Sequence, residues 1–245
     1  MNGTTADSVP GSARIPLTLY YHPLASFCWK ALIALYESAA PFEPHIVDLS
    51  NTAARESFQR LWPLGKFPVL RDASRQRTIP ESSIVIEYLA QHYPGAAALL
   101  PQDATLRLDA RLWDRCLDLY VHAPMQKIVG DQLRGPRDKD PHGVGEARTT
   151  LRTAYAMLDE RLLERVWIVG DAFSIADCAA APALFYAGIV EPFANEHPQL
   201  ANYFERLTER PSFARVIAEA RPYFRMFPLA DSIPTRFLDV SAARE

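Results

Sequence analysis

The feature that most limits what this chain can become is the stretch Leu17–Leu35, LTLYYHPLASFCWKALIAL. Leu17-Thr18-Leu19-Tyr20-Tyr21 is aromatic and apolar and reads as a strand. Phe27, Ala31, Ala34 and Leu35 come close to the i, i+4, i+7, i+8 pattern of a helix. Between them lies the hinge His22-Pro23-Leu24-Ala25-Ser26. A helix that starts directly after a strand turns unbonded backbone N–H groups, and the positive end of its dipole, toward the strand's end. Such a place suits an anion or a thiolate.

The pattern continues with alternation from Phe42 to Leu49, which predicts a second strand, and a polar helix over Asn51–Leu61. Phe67–Arg71 and Arg77–Ile79 read as short strands whose separation fits an antiparallel hairpin. Glu81–His92 is an amphipathic helix with Ile84, Tyr88 and Leu89 apolar. Beyond the linker 94–103 the signals are helical only: Thr105–Leu133, Gly145–Val166, Ser174–Ile189, Gln199–Arg210 and Ser212–Phe224. A Gly/Pro-rich loop, Gly135–Gly145, divides the first two. The reading is an α/β unit over 15–93 and an all-helical unit over 104–230, with tails at 1–14 and 231–245.

Three blocks carry a resemblance. The first is the opening strand, hinge and helix. The second is Trp62-Pro63-Leu64-Gly65-Lys66-Phe67-Pro68-Val69-Leu70, and the third is Pro80-Glu81-Ser82-Ser83-Ile84-Val85-Ile86-Glu87-Tyr88-Leu89. In order and spacing they resemble the glutathione S-transferases, the second block their Asn-Pro-Xaa-Gly-Lys-Val-Pro segment and the third their Glu-Ser-Xaa-Xaa-Ile helix start. The resemblance covers roughly Leu17 to Phe227 and implies an N-terminal thioredoxin-like domain followed by a helical-bundle domain. Gly170–Asp177 also looks family-like, with Ser174 placed to N-cap a helix and Asp177 to reach back to it, a structural role.

Composition excludes some alternatives. A net charge of −3 leaves no basic surface for nucleic acid. No apolar run reaches the length of a membrane span. The three cysteines, Cys28, Cys116 and Cys178, show neither Cys-Xaa-Xaa-Cys nor zinc spacing, and so sparse a set suits a reducing cytoplasm. Neither a metal nor a bound redox cofactor is implied.

What the resemblance implies about the site can be placed residue by residue. Phe67-Pro68 corresponds to a cis bond that turns the N–H and C=O of Phe67 toward the cysteinyl backbone of glutathione, as an added strand would. Glu81 would pair with the γ-glutamyl ammonium. The Ser82 hydroxyl and the N–H groups at the helix start would hold its carboxylate. Lys66 would meet the glycyl carboxylate. The family habit is a homodimer acting on a small electrophile, here expected to be apolar.

The hinge departs from the family. By register against Trp29-Lys30, the position of the usual activating hydroxyl or thiol is Ala25. Ser26, one residue later, is the catalytic candidate through its hydroxyl or its backbone N–H, with Tyr21 and His22 in reserve. Two further readings stay open: a non-catalytic glutathione-binding or regulatory protein, favoured by Ala25, and a thiol–disulfide oxidoreductase using Cys28. On the helical side Trp113, Leu117, Tyr120 and Pro124 form a stripe at helical spacing, more often core than pocket, with His122 and Met125 undecided.

Overall fold

The computed structural model describes residues 16–238; the expected tail 1–14 and the end of the chain from residue 239 lie outside them. The opening is a strand, β1 (Leu17–Tyr21), with Leu17, Leu19 and Tyr21 inward, followed by α1 (Ser26–Glu37), which buries nine of its residues. Then come β2 (Phe42–Ile46), α2 (Thr52–Leu61), β3 (Val69–Asp72), β4 (Arg77–Pro80) and α3 (Ser82–His92). The sheet order is β2-β1-β3-β4. β1 runs parallel to β2 and antiparallel to β3, with Leu19 opposite Leu70, and β3 and β4 form the expected hairpin.

β2 stops at Ile46 rather than Leu49, and its last four residues are exposed. It is an edge strand carrying Pro44, a residue tolerated only where no ladder bond is lost. β3 starts at Val69, after the Phe67-Pro68 bond, which is cis. Asp72, buried at the far end of β3, accepts from Ser74 Oγ (2.6 Å), Tyr88 Oη (2.8 Å), Tyr93 Oη (3.0 Å) and the Arg75 N–H (3.1 Å).

The helical part contains α4 (Ala104–Leu117), a π-helical segment Asp118–His122, α5 (Ala123–Gln132), α6 (Pro141–Arg161), α7 (Ile175–Val190), α8 (Pro198–Glu209) and α9 (Pro211–Ala220). The single helix expected over Thr105–Leu133 is thus widened in its middle. The cause is Pro124, which has no N–H to give the carbonyl of Tyr120. The Ala123 N–H reaches back five residues to the Asp118 carbonyl instead. α6 begins four residues before Gly145, because Asp140 caps it by accepting from the Gly143 N–H (2.9 Å) and Pro141 suits a first helical turn.

α7 is apolar on nearly every side and forms the centre of the core. α1 packs on it and on α9, with Trp29 against Phe185 (4.9 Å) and Tyr186 (5.0 Å). Asp177 is buried where α7 begins. It accepts from the N–H of Ile168 (3.1 Å), the N–H and hydroxyl of Ser174 (2.9 and 3.0 Å) and the Tyr203 hydroxyl (2.6 Å). The stretch expected as a tail from residue 231 enters the core at Ile233 and Phe237, the latter 5.0 Å from the Phe185 ring.

Candidate active site

The hinge after β1 ties up its own backbone. The Leu24 N–H bonds to His22 Nδ1, the Ala25 N–H to the His22 carbonyl, and the N–H groups of Cys28 and Trp29 to the Ala25 carbonyl. Among the described residues no acceptor takes the N–H of Ser26 or Phe27, so α1 offers two unbonded donors at its tip. α3 repeats the pattern. Its first backbone bond is from the Val85 N–H to the Glu81 carbonyl, which leaves the N–H groups of Ser82, Ser83 and Ile84 unpaired among the described residues.

These two helix starts open on one cleft of about 450 Å³, lined by Ala25, Phe27, Lys66, Phe67, Glu81 and Ser82 and, across it, Arg115, Asp118, Leu119, Ala123 and Gln126. That volume lies in the range of small-molecule sites. Lys66, Phe67, Glu81 and Ser82 therefore come together as expected from the sequence. Pro68 is buried behind Phe67. Ser26 is 4% exposed and lies outside the lining, where Ala25 stands instead.

Glu81 holds φ +68°, ψ +120°, a conformation costly for a residue with a side chain. The side chains of Glu81 and Ser82 make no capping bond to α3 and meet no other protein group among the described residues. Their polar atoms stay available to a ligand, as do those of Lys66.

Behind the cleft wall lies a charge cluster. Lys30 of α1 is fully buried, donates to Ser83 Oγ (2.8 Å) and both oxygens of Asp118 (3.0 and 2.9 Å), and forms an ion pair with Asp114 Oδ1 at 2.6 Å. Ser83 Oγ donates to Asp114 Oδ2 (2.7 Å). Burial raises the pKa of Asp114. For Asp118 burial pulls the same way, but His122 and Lys30 overcome it and hold the carboxyl below its ordinary range. His122 is fully buried, its ring 4.4 Å from that of Phe27, and burial lowers its pKa.

Most of the helical stripe is core, the commoner outcome for such spacing. Trp113, Leu117 and Pro124 are core, as are His122 and Met125, and Tyr120 lies over a small recess beside Trp113 and Cys116. Arg115, Leu119, Ala123 and Gln126 face the cleft instead. Sequence reasoning missed them because their spacing is as helical as that of the buried stripe, and periodicity alone does not say which face borders the cleft. Cys28 is fully buried against the core, and burial pushes its thiol up to about 12.

A four-stranded mixed sheet followed by a helical bundle, with a cleft where two helix starts meet, defines a thioredoxin-like protein with a helical second domain. Residues 19–97 match the profile of the glutathione S-transferase N-terminal domain, and residues 118–211 that of the C-terminal domain. The chain belongs to the glutathione S-transferase family. It is 26% identical to glutathione S-transferase GstB of Escherichia coli over 190 residues, 77% of this chain and 91% of that protein. It is 29% identical to the dichloromethane dehalogenase of Methylorubrum extorquens over 217 residues, 83% of this chain and 74% of that protein. Among solved structures, a glutathione S-transferase of Methylobacterium radiotolerans in complex with glutathione sulfonate superposes with TM-score 0.72 and 27% identity, covering 82% of this chain and 93% of that one.

Proposed function

We propose that this protein is a glutathione transferase that conjugates the thiolate of glutathione to a small electrophile. The observation that carries the reading is the convergence of unpaired donors and charges in one cleft. The start of α3, Ser82 and Glu81 suit a γ-glutamyl carboxylate and ammonium; Lys66 suits a glycyl carboxylate; the backbone of Phe67, beside Pro68, suits the cysteinyl peptide. The start of α1 is left for the sulfur.

Bound glutathione supplies the nucleophile, and the chain's task is to keep its sulfur ionised and positioned. Bringing a thiol from ~8.5 to ~6.5 needs about 2.7 kcal/mol of preference for the charged form. A helix N-terminus gives roughly 0.3–1 kcal/mol, or ~2 when partly buried. Each hydrogen bond to a charged acceptor adds about 1.5–3 kcal/mol. The N–H groups of Ser26 and Phe27 are enough without a hydroxyl at Ala25. Ser26 thus acts through its backbone, and a deprotonated sulfur attacks while the leaving group departs with its electron pair. The apolar part of the electrophile rests on Phe27, Leu119 and Ala123.

The working form in this reading is a cytoplasmic homodimer. Exposed Ile84 on α3, with Leu108 and Leu112 on α4, offers an apolar face for a second copy. Burial of Cys28 weighs against the oxidoreductase alternative. The test is calorimetry with glutathione together with conjugation of 1-chloro-2,4-dinitrobenzene. Binding without conjugation would favour the non-catalytic relative that Ala25 suggests; absence of both would remove the reading.

A further inference from the structure

We infer that the electrophile is an apolar body bearing one carboxylate, and that Arg115 is the residue that recognises the carboxylate. This rests on the transferase reading above and names the class of its second substrate.

Arg115 is exposed on the cleft wall. The carboxylate placed to neutralise it, Asp118 three residues on, already has both oxygens on Lys30. One turn back, Glu87 is taken by Arg111, with two bonds of 2.8 Å. Among the described residues the Arg115 guanidinium meets no acceptor of its own. Nor does it serve a helix end, since the helical run passes through the π segment into α5 and continues to Gln132.

Glutathione does not account for this cation. Its γ-glutamyl carboxylate is matched by Ser82 and the start of α3, and its glycyl carboxylate by Lys66. Arg115 belongs to the opposite wall, and its neighbours there form a short row: Leu119, Ala123 and Gln126. Across the π segment each turn takes up more residues than in an α-helix, which keeps residues four apart near one line. An aromatic or aliphatic body lying on Leu119, Ala123 and Phe27 would bring a terminal carboxylate to the guanidinium fork, whose planar donors match a carboxylate's two oxygens. The Gln126 amide adds a donor at the other end of the row.

The experiment uses two electrophiles with the same leaving group, neutral 1-chloro-2,4-dinitrobenzene and anionic 4-chloro-3-nitrobenzoate. In both, the thiol proton passes to solvent, a carbon–sulfur bond forms and chloride leaves with its electron pair. Arg115→Met should lower the benzoate-to-neutral ratio of kcat/KM by roughly ten- to a hundredfold, through KM for the benzoate. Arg115→Lys should recover part of that ratio, since charge is kept and only the fork is lost. An equal fall for both electrophiles would overturn the assignment. So would a rise in KM for glutathione or in the pKa of the bound thiol, either of which gives Arg115 to glutathione. A wild-type protein that turns over the neutral compound but not the benzoate overturns it too. Inactivity toward both, with glutathione bound, is the failure of the transferase reading itself and takes this inference with it.

Discussion

Lys30 and Asp114 meet at 2.6 Å with their side chains 0% and 4% exposed. One comes from the first helix after the opening strand, the other from the long helix of the bundle, so the contact ties the two parts of the molecule together directly behind the cleft. Burying such a pair gains little over an apolar contact, but removing one partner strands the rest. Lys30→Met leaves Asp114 and Asp118 facing each other without a cation and should cost about 3–5 kcal/mol. Urea denaturation measures it, and a loss below about 1 kcal/mol would mean that the cluster does not hold the interface.

Glutathione affinity should respond to the α3 end of the cleft. Glu81→Ala and Ser82→Ala should each weaken binding by about 1–3 kcal/mol, because both remove a charge-assisted bond and neither side chain has a capping role to lose. Calorimetry on the two variants reads this directly. Wild-type affinity in both would take the γ-glutamyl group away from this part of the cleft.

The hinge makes an asymmetric prediction. Ser26 lies outside the cleft lining and Ala25 within it, so Ser26→Ala should change the rate at neutral pH by less than about threefold. Ala25→Ser should lower the bound thiol's pKa by about one unit, a single further hydrogen bond to the thiolate. Rates of chlorodinitrobenzene conjugation from pH 6 to 9 separate the two. If Ser26→Ala instead raises the thiol pKa by one to two units, the hydroxyl and not the N–H is the donor.

Much of the fold was legible because the chain alternates and punctuates clearly. β1 follows its apolar run residue for residue, and Glu81, Ser82, Lys66 and Phe67 meet in the cleft that their blocks implied. The helical wall was not legible, because helical spacing fits Trp113, Leu117, Tyr120 and Pro124 as well as Arg115, Leu119, Ala123 and Gln126, and only the fold decides which face borders the cleft. Lys30 was visible as a charge in an apolar helix, but its partners lie 84 and 88 residues away, beyond the reach of local pattern.

Asp72 sets an acid limit. Burial alone would raise its pKa, but the hydroxyls of Ser74, Tyr88 and Tyr93 and the Arg75 N–H hold it well below the ordinary carboxylate range. A depressed folded pKa contributes stability above the unfolded value near ~3.9, and this is lost as pH falls through the folded value. Asp72→Asn should therefore cost about 1.5–3 kcal/mol at pH 7. Its deficit against wild type should narrow below pH ~4. Thermal melts from pH 3 to 7 check the sign; a gap that widens in acid would contradict it.

Thiol reactivity should follow exposure. Cys28 and Cys178 are fully buried and Cys116 partly so, and burial raises all three thiols. A maleimide at neutral pH should label Cys116 first and leave Cys28 until the protein is unfolded. Mass spectrometry of the labelled peptides decides it. Prompt labelling of Cys28 in the native protein would reopen the redox alternative.

The π turn at Asp118–His122 also sets the angular phase between the two halves of the longest helical run. One surplus residue rotates α5 relative to α4 by about 100°, the turn per residue of an α-helix. On its two sides, Met125 and Ile128 face the core and Arg115 faces the cleft. A residue with an N–H in place of Pro124 would remove the cause of the widening and let α5 turn against α4. The segment is short, but the chemistry on one side of it and the packing on the other are geared together through it.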